Sequence, residues 1–286
     1  MKRVLSLALL TLLSCEPLRA EERKYSVKHV PKSMSIKTKK ERFFYLMLPA
    51  VNKVHNAWMV RYKRIKLHIE TQTNLGEVEM LKKRFKAPTD EMLLQALKPH
   101  PKSIVLAQAA LESSWGTSRF FTKAYNAFGM WSSDENEPRI AANEQRNRTR
   151  TIWLRKYENL DRSVWSYFFL MATSTKFKEF RELKMQTNDP FVLIQKLDKY
   201  AEIGEEYVKH IDSVIRHNNL TKYDRIKKKK HKQSAALPKK DLPPPQSSRT
   251  LPQTEMPKTQ LNEVKNIEER KKSALQEEVT PSLDED

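Results

Sequence analysis

Several absences narrow the chemistry of this 286-residue chain. A single cysteine, Cys15, cannot staple the fold internally. The seven histidines never pair at ligand spacing and there is no His-Glu-x-x-His, so no metal site and no cofactor are expected. A glycine-rich phosphate loop and a Gly-x-Ser-x-Gly nucleophile elbow are both missing. Of only four glycines, Gly116, Gly129 and Gly204 stand at motif or helix-end positions, where backbone conformation is the reason for glycine. Zinc-finger, RRM and KH signatures are absent too, which argues against nucleic acid as a partner.

What is present starts with charge. The net charge is +19, concentrated in residues 1–100, which hold 21 basic against 9 acidic residues. Such an excess attracts a polyanion: nucleic acid, anionic lipid head groups or an acidic cell wall. The N-terminus points outside the cytoplasm. Met1-Lys2-Arg3 followed by the apolar stretch Val4 to Leu13 reads as a secretory signal, too short to span a bilayer permanently. The string Leu12-Leu13-Ser14-Cys15 resembles a bacterial lipobox, with Cys15 as the lipidated residue and a membrane anchor as the result. Cleavage after Leu18-Arg19-Ala20, giving a soluble periplasmic protein, is the alternative. Glu16 is not the aspartate associated with inner-membrane retention, so the lipoprotein reading leans to the outer membrane.

Five segments follow from pattern and composition: a signal over 1–20, a basic tether over 21–42, a helical extension over 43–87, a main domain over 88–222 and a tail over 223–286. Phe44, Leu48, Val51 and Trp58 recur at helical steps between Phe43 and Ile69. A second helix is predicted over Leu75–Phe85 and a third over Glu91–Leu97, capped by Thr89 or Asp90. Ser103 opens the next. Arg139–Ala142 and Thr149–Tyr157 predict a small hairpin around residues 143–148. Asn159 or Asp161 caps a strongly apolar helix, Asp189-Pro190 opens another that reaches Tyr200, and a last one carries Tyr207, Ile211 and Ile215. The tail holds Lys227–Lys230 and Pro243-Pro244-Pro245, with too few large apolar residues to offset ordering entropy; it is expected to be disordered.

The most informative segment is Ala107-Gln-Ala-Ala-Leu-Glu112-Ser-Ser-Trp115-Gly116. A carboxyl group at the end of an apolar helix has its pKa pushed up, keeps a proton near neutrality and can donate it to a glycosidic oxygen. Glu112-Ser-Ser-Trp-Gly-Thr-Ser followed by Asn126-Ala127-Phe128-Gly129 resembles the N-acetylglucosaminidases of glycoside hydrolase family 73, in their FlgJ-like and Bax-like forms, over about residues 88–220.

The resemblance implies a predominantly α, lysozyme-like (α+β) fold with a small β-hairpin lobe. It also implies hydrolysis of β-1,4 bonds beside N-acetylglucosamine in bacterial peptidoglycan. Glu112 would be the general acid. Inversion needs a second carboxylate about 6.5–9.5 Å away, and on the family's hairpin Glu144 matches best, ahead of Glu135, Glu137 and Glu158. Tyr200, in Tyr200-Ala201, matches a family tyrosine that points into the cleft. Trp115, Asn126 and Gly129 lie in the matching strings as substrate-side candidates, and Phe128, Trp131 and Trp153 are candidate sugar platforms. Two alternatives stay open: a lytic transglycosylase, which needs no second carboxylate, and a non-catalytic wall-binding lipoprotein.

Overall fold

The computed structural model describes residues 24–142 and 151–225. Glu144, Cys15 and the tail beyond Arg225 lie outside these residues, whereas Tyr223 and Asp224, read as tail in the sequence, belong to the folded body because Asp224 accepts from the Ser103 N–H. Helix α1 (Ile36–Glu70) runs 35 residues, about 50 Å at 1.5 Å per residue, with Pro49 inside it. Ser35 caps it by accepting from the Thr38 N–H. Its buried stripe is Phe43, Met47, Ala50, Val51, Val54, Trp58 and Ile65, the three- and four-residue spacing of a core-facing helix.

The helix begins earlier than its apolar pattern predicts, so residues 36–42 are helical and not tether. The reason is Arg42. Its side chain is buried, and the guanidinium donates to the carbonyls of Gly116, Ser26, Val27 and His29. A basic residue that looks solvated in sequence gathers four chain-distant acceptors in the fold.

Helices α2 (Leu75–Phe85) and α3 (Asp90–Leu97) follow, the latter capped by the Thr89 hydroxyl. Helix α4 (Lys102–Glu112) is buried without interruption from Ser103 to Ala110, a helix apolar on every side and packed against α1 on one of them. Pro101 gives it no side-chain cap. Instead the Asp224 carboxylate, from a 3₁₀ turn near the end of the described chain, accepts the Ser103 N–H at 2.9 Å. Helix α5 (Arg119–Ala124), β1 (Arg139–Ala141) and β2 (Trp153–Arg155) come next. The strands pair antiparallel with Ile140 opposite Leu154, and Arg119 of α5 donates to the Ala141 carbonyl. Helices α6 (Leu160–Thr173), α7 (Lys178–Gln186), α8 (Pro190–Leu193) and α9 (Glu205–His217) complete the body.

The body is predominantly helical, with a two-stranded antiparallel sheet to one side. A single buried apolar cluster runs from Phe43 of α1 to Leu220, so the N-terminal helix shares the core of the rest. The helix predicted from Pro190 to Tyr200 stops at Leu193 and tightens into a 3₁₀ turn over 194–196. Helices α5 and α7 have no counterpart in the sequence prediction; both are short and rich in Lys and Arg. No helix among the described residues is long and apolar enough to cross a membrane.

Candidate active site

Glu112 is the last residue of α4, and the chain beyond it turns sharply. Ser114, Trp115 and Gly116 all adopt left-handed backbone, with φ of 51°, 61° and 73°. Such conformations at non-glycine residues cost of order 1–3 kcal/mol each and persist only where the surroundings impose them. Here the Trp115 N–H bonds to the Ala110 carbonyl at 2.8 Å, the Gly116 N–H to the Ser113 hydroxyl at 2.8 Å, and Arg42 holds the Gly116 carbonyl at 2.7 Å. A Cβ on Gly116 would press on the Phe121 ring at 3.2 Å. The carboxylate therefore projects from a turn held on several sides.

The two carboxyl oxygens differ. Oε1 accepts from the Tyr207 hydroxyl of α9 at 2.8 Å. Oε2 lies against Gly129, where a built Cβ would come within 3.7 Å. Burial pushes the Glu112 pKa above the usual carboxylate range, and the Tyr207 hydrogen bond opposes that only in part. Tyr200 stacks on Tyr207 with ring centroids 5.4 Å apart and planes 2° from parallel. Its buried hydroxyl has no hydrogen-bond partner among the described residues. Burial and the nearby Glu112 charge hold Tyr200 protonated, and burial does the same for Tyr207. The site thus offers one largely buried acid, one tyrosine hydroxyl committed to it and one without a partner among the described residues.

Three of the sequence candidates are engaged by packing or backbone contacts. Asn126 is 1% exposed: its amide donates to the carbonyls of Met130 and Arg155, and its oxygen accepts from the Met130 N–H. It stitches the 126–130 loop to β2. Phe128 is 3% exposed and stacks on Tyr167 at 4.2 Å, which leaves no face for a sugar. The Trp115 ring packs edge-on against Phe43 and Phe44 of α1, with the Lys40 ammonium 5.0 Å over it. Two others are more open. Trp131 is 67% exposed beside β2, bridged through its backbone to Leu154. Trp153 is partly exposed and carries the Arg139 guanidinium 4.3 Å over one face.

Residues 91–220 match the family model described as mannosyl-glycoprotein endo-beta-N-acetylglucosaminidase. This region is a glucosaminidase domain. A comparison with curated proteins finds no significant match. Among solved structures, the catalytic domain of the autolysin Auto from Listeria monocytogenes is similar at 18% identity and a TM-score of 0.41, over 68% of this chain and 92% of that one. A peptidoglycan hydrolase from Sphingomonas sp. A1 is similar at 24% identity and a TM-score of 0.36, over 45% and 86%. A C-terminally truncated glycoside hydrolase domain of FlgJ from Salmonella typhimurium follows at 20% identity and a TM-score of 0.35, over 45% and 91%.

Within the glucosaminidase domain, sequence reasoning passed over Tyr207 and Gln108. Gln108 donates to the Tyr207 hydroxyl at 3.2 Å from one turn before Glu112 on the same helix. A lone amide in an otherwise apolar run was the available signal. Among the described residues no group of three or more His, Cys, Asp or Glu could hold a metal ion.

Proposed function

We propose that the glucosaminidase domain hydrolyses the β-1,4 bond beside N-acetylglucosamine in bacterial peptidoglycan, with Glu112 as the general acid. The observation that carries this reading is the asymmetry of the Glu112 carboxyl. Oε1 is occupied by Tyr207, Oε2 faces Gly129, and burial favours the protonated form. A proton on a carboxyl whose pKa is raised by burial is what a glycosidic oxygen must receive as its bond breaks. Tyr200, with its hydroxyl unpartnered among the described residues, would donate to the reacting sugar, and Trp131 would supply an apolar platform for a neighbouring one. Glu144 is assigned as the base that activates water. The basic surface fits a substrate bearing carboxylates, and the signal-like N-terminus fits an exported enzyme tethered through Cys15.

Mass spectrometry of digested muropeptides tests the reaction. New reducing N-acetylglucosamine ends are expected. Anhydromuramic ends would reassign the chain as a lytic transglycosylase, and retention on sedimented wall without release of fragments would reassign it as a binding protein. Fractionation after Cys15→Ser tests the anchor, since loss from the membrane fraction is the expected result.

A further inference from the structure

Behind Glu112 a line of buried polar side chains crosses the core. His100 Nε2 lies 2.8 Å from the Tyr167 hydroxyl. Tyr167 donates to Gln108 Oε1 at 2.6 Å, Gln108 Nε2 donates to the Tyr207 hydroxyl at 3.2 Å, and Tyr207 donates to Glu112 Oε1 at 2.8 Å. The four residues behind the carboxylate are all buried.

Donor counting gives the line a direction. An ionised carboxylate only accepts, so Tyr207 spends its one hydroxyl hydrogen on Glu112. The Tyr207 oxygen is left to accept, which turns the Gln108 amide nitrogen toward it and the Gln108 carbonyl toward Tyr167. Tyr167 spends its own hydrogen there, so its oxygen must accept from His100, and His100 must carry its hydrogen on Nε2. Reversed, the same contacts would place a proton on Glu112 Oε1, flip Gln108 and move the His100 hydrogen to Nδ1. Nδ1 of His100 has no partner among the described residues. A buried N–H without an acceptor is tolerated less well than a bare lone pair, so the far end selects the forward direction.

The groups around each end support this. Burial, with Lys184 of α7 and His55 of α1 nearby, holds His100 far below the ordinary imidazole range, and a neutral ring has a definite tautomer. At the other end the ionisable neighbours of Glu112 among the described residues are Tyr207 and Tyr200, both held protonated by burial.

We infer that His100, Tyr167 and Gln108 are positioning residues that act through Tyr207. The one-way chain keeps Oε1 an acceptor and confines the transferable proton of Glu112 to Oε2, the oxygen beside Gly129. When that proton passes to the glycosidic oxygen, the electron pair of the broken O–H bond stays on Oε2. The carboxylate that forms already has the Tyr207 hydrogen at Oε1. This inference rests on Glu112 as the proton donor.

Two measurements on the full chain test it. Nitrogen NMR of the histidine imidazoles should find His100 neutral and Nε2-protonated from pH 5 to 8, whereas an Nδ1–H tautomer or an imidazolium would overturn the inference. Tyr167→Phe frees Gln108 to turn and take the Tyr207 hydrogen, so the ionised form of Glu112 loses a donor and its pKa rises. With soluble peptidoglycan fragments as substrate, kcat should fall about tenfold, or ~1.4 kcal/mol in barrier. KM should stay within about twofold, and the alkaline limb of the kcat profile should move to higher pH. A merely structural role would lower Tm and leave that limb where it is. An unchanged kcat and limb, beside an inactive Glu112→Gln, would overturn the inference and spare the function. An active Glu112→Gln would instead overturn the function, and with it the inference. If Tyr167→Phe does not fold, the tautomer in the unsubstituted protein decides.

Discussion

The Arg42 guanidinium donates to the Gly116 carbonyl at 2.7 Å, joining α1 to the strained turn four residues past Glu112. Sequence separation between the two is 74 residues, and among the described residues the arginine's hydrogen bonds run only to backbone carbonyls. The helix outside the family match therefore holds the turn that aims the acid.

Replacing Arg42 with Met keeps the aliphatic stem and removes the donors. Four carbonyls lose a charged partner, so unfolding free energy should fall by about 2–4 kcal/mol in urea titrations. Activity at a temperature where the variant remains folded should fall as well, because the Ser114–Gly116 turn loses its clamp. A variant as stable as the unsubstituted chain would show that the turn is held by its own hydrogen bonds.

Glu112→Gln preserves the oxygen that Tyr207 bonds and loses the transferable proton. Turnover of purified peptidoglycan should drop several hundredfold or more, a few kcal/mol in barrier. In the unsubstituted enzyme, activity should be held below the raised pKa of Glu112 and fall as pH climbs through it.

The same variant should be more stable than the parent at neutral pH. With its folded-state pKa raised, Glu112 binds more protons folded than unfolded between the two pKa values, and stability declines across that interval as pH rises. Glutamine removes this decline. Differential scanning calorimetry at pH 4 and pH 7 should find the gap between variant and parent opening toward pH 7. A gap independent of pH would mean that the carboxyl is not desolvated.

Trp131 and Phe128 should part company on substitution by alanine. Trp131 is exposed, so its removal should leave stability within about 0.5 kcal/mol and raise KM for glycan strands. Phe128 fills the core against Tyr167, and its loss should cost about 3–5 kcal/mol. Equal effects on KM without a stability difference would contradict the packing assignment.

Much of this arrangement was legible in the sequence because it depends on local pattern. The Leu75–Phe85 helix, the apolar run ending at Glu112 and the hairpin flanking residues 143–148 all follow from periodicity, capping and β-branched content. What was not legible depends on contacts between distant residues. Asn126 and Phe128 sit in a motif that reads as substrate-facing, and only the fold turns them inward to Arg155 and Tyr167. Arg42 reads as a solvated charge until four carbonyls converge on it. His100 and Tyr167 gave no signal, since a lone histidine and a helical tyrosine are ordinary core residues until their hydrogen bonds are traced.

Capping of α4 by Asp224 has a consequence for how the chain is made. The Ser103 N–H waits for an acceptor 121 residues further on. At ribosomal speeds of about 5–20 residues per second, that carboxylate emerges on the order of ten seconds after the helix it completes. Through that interval a helix buried from Ser103 to Ala110 in the finished fold is without its cap, and its α9-facing surface has no partner. Export in an unfolded form, or a chaperone that covers residues 102–112, would suit a nascent chain whose acid-bearing helix is finished last.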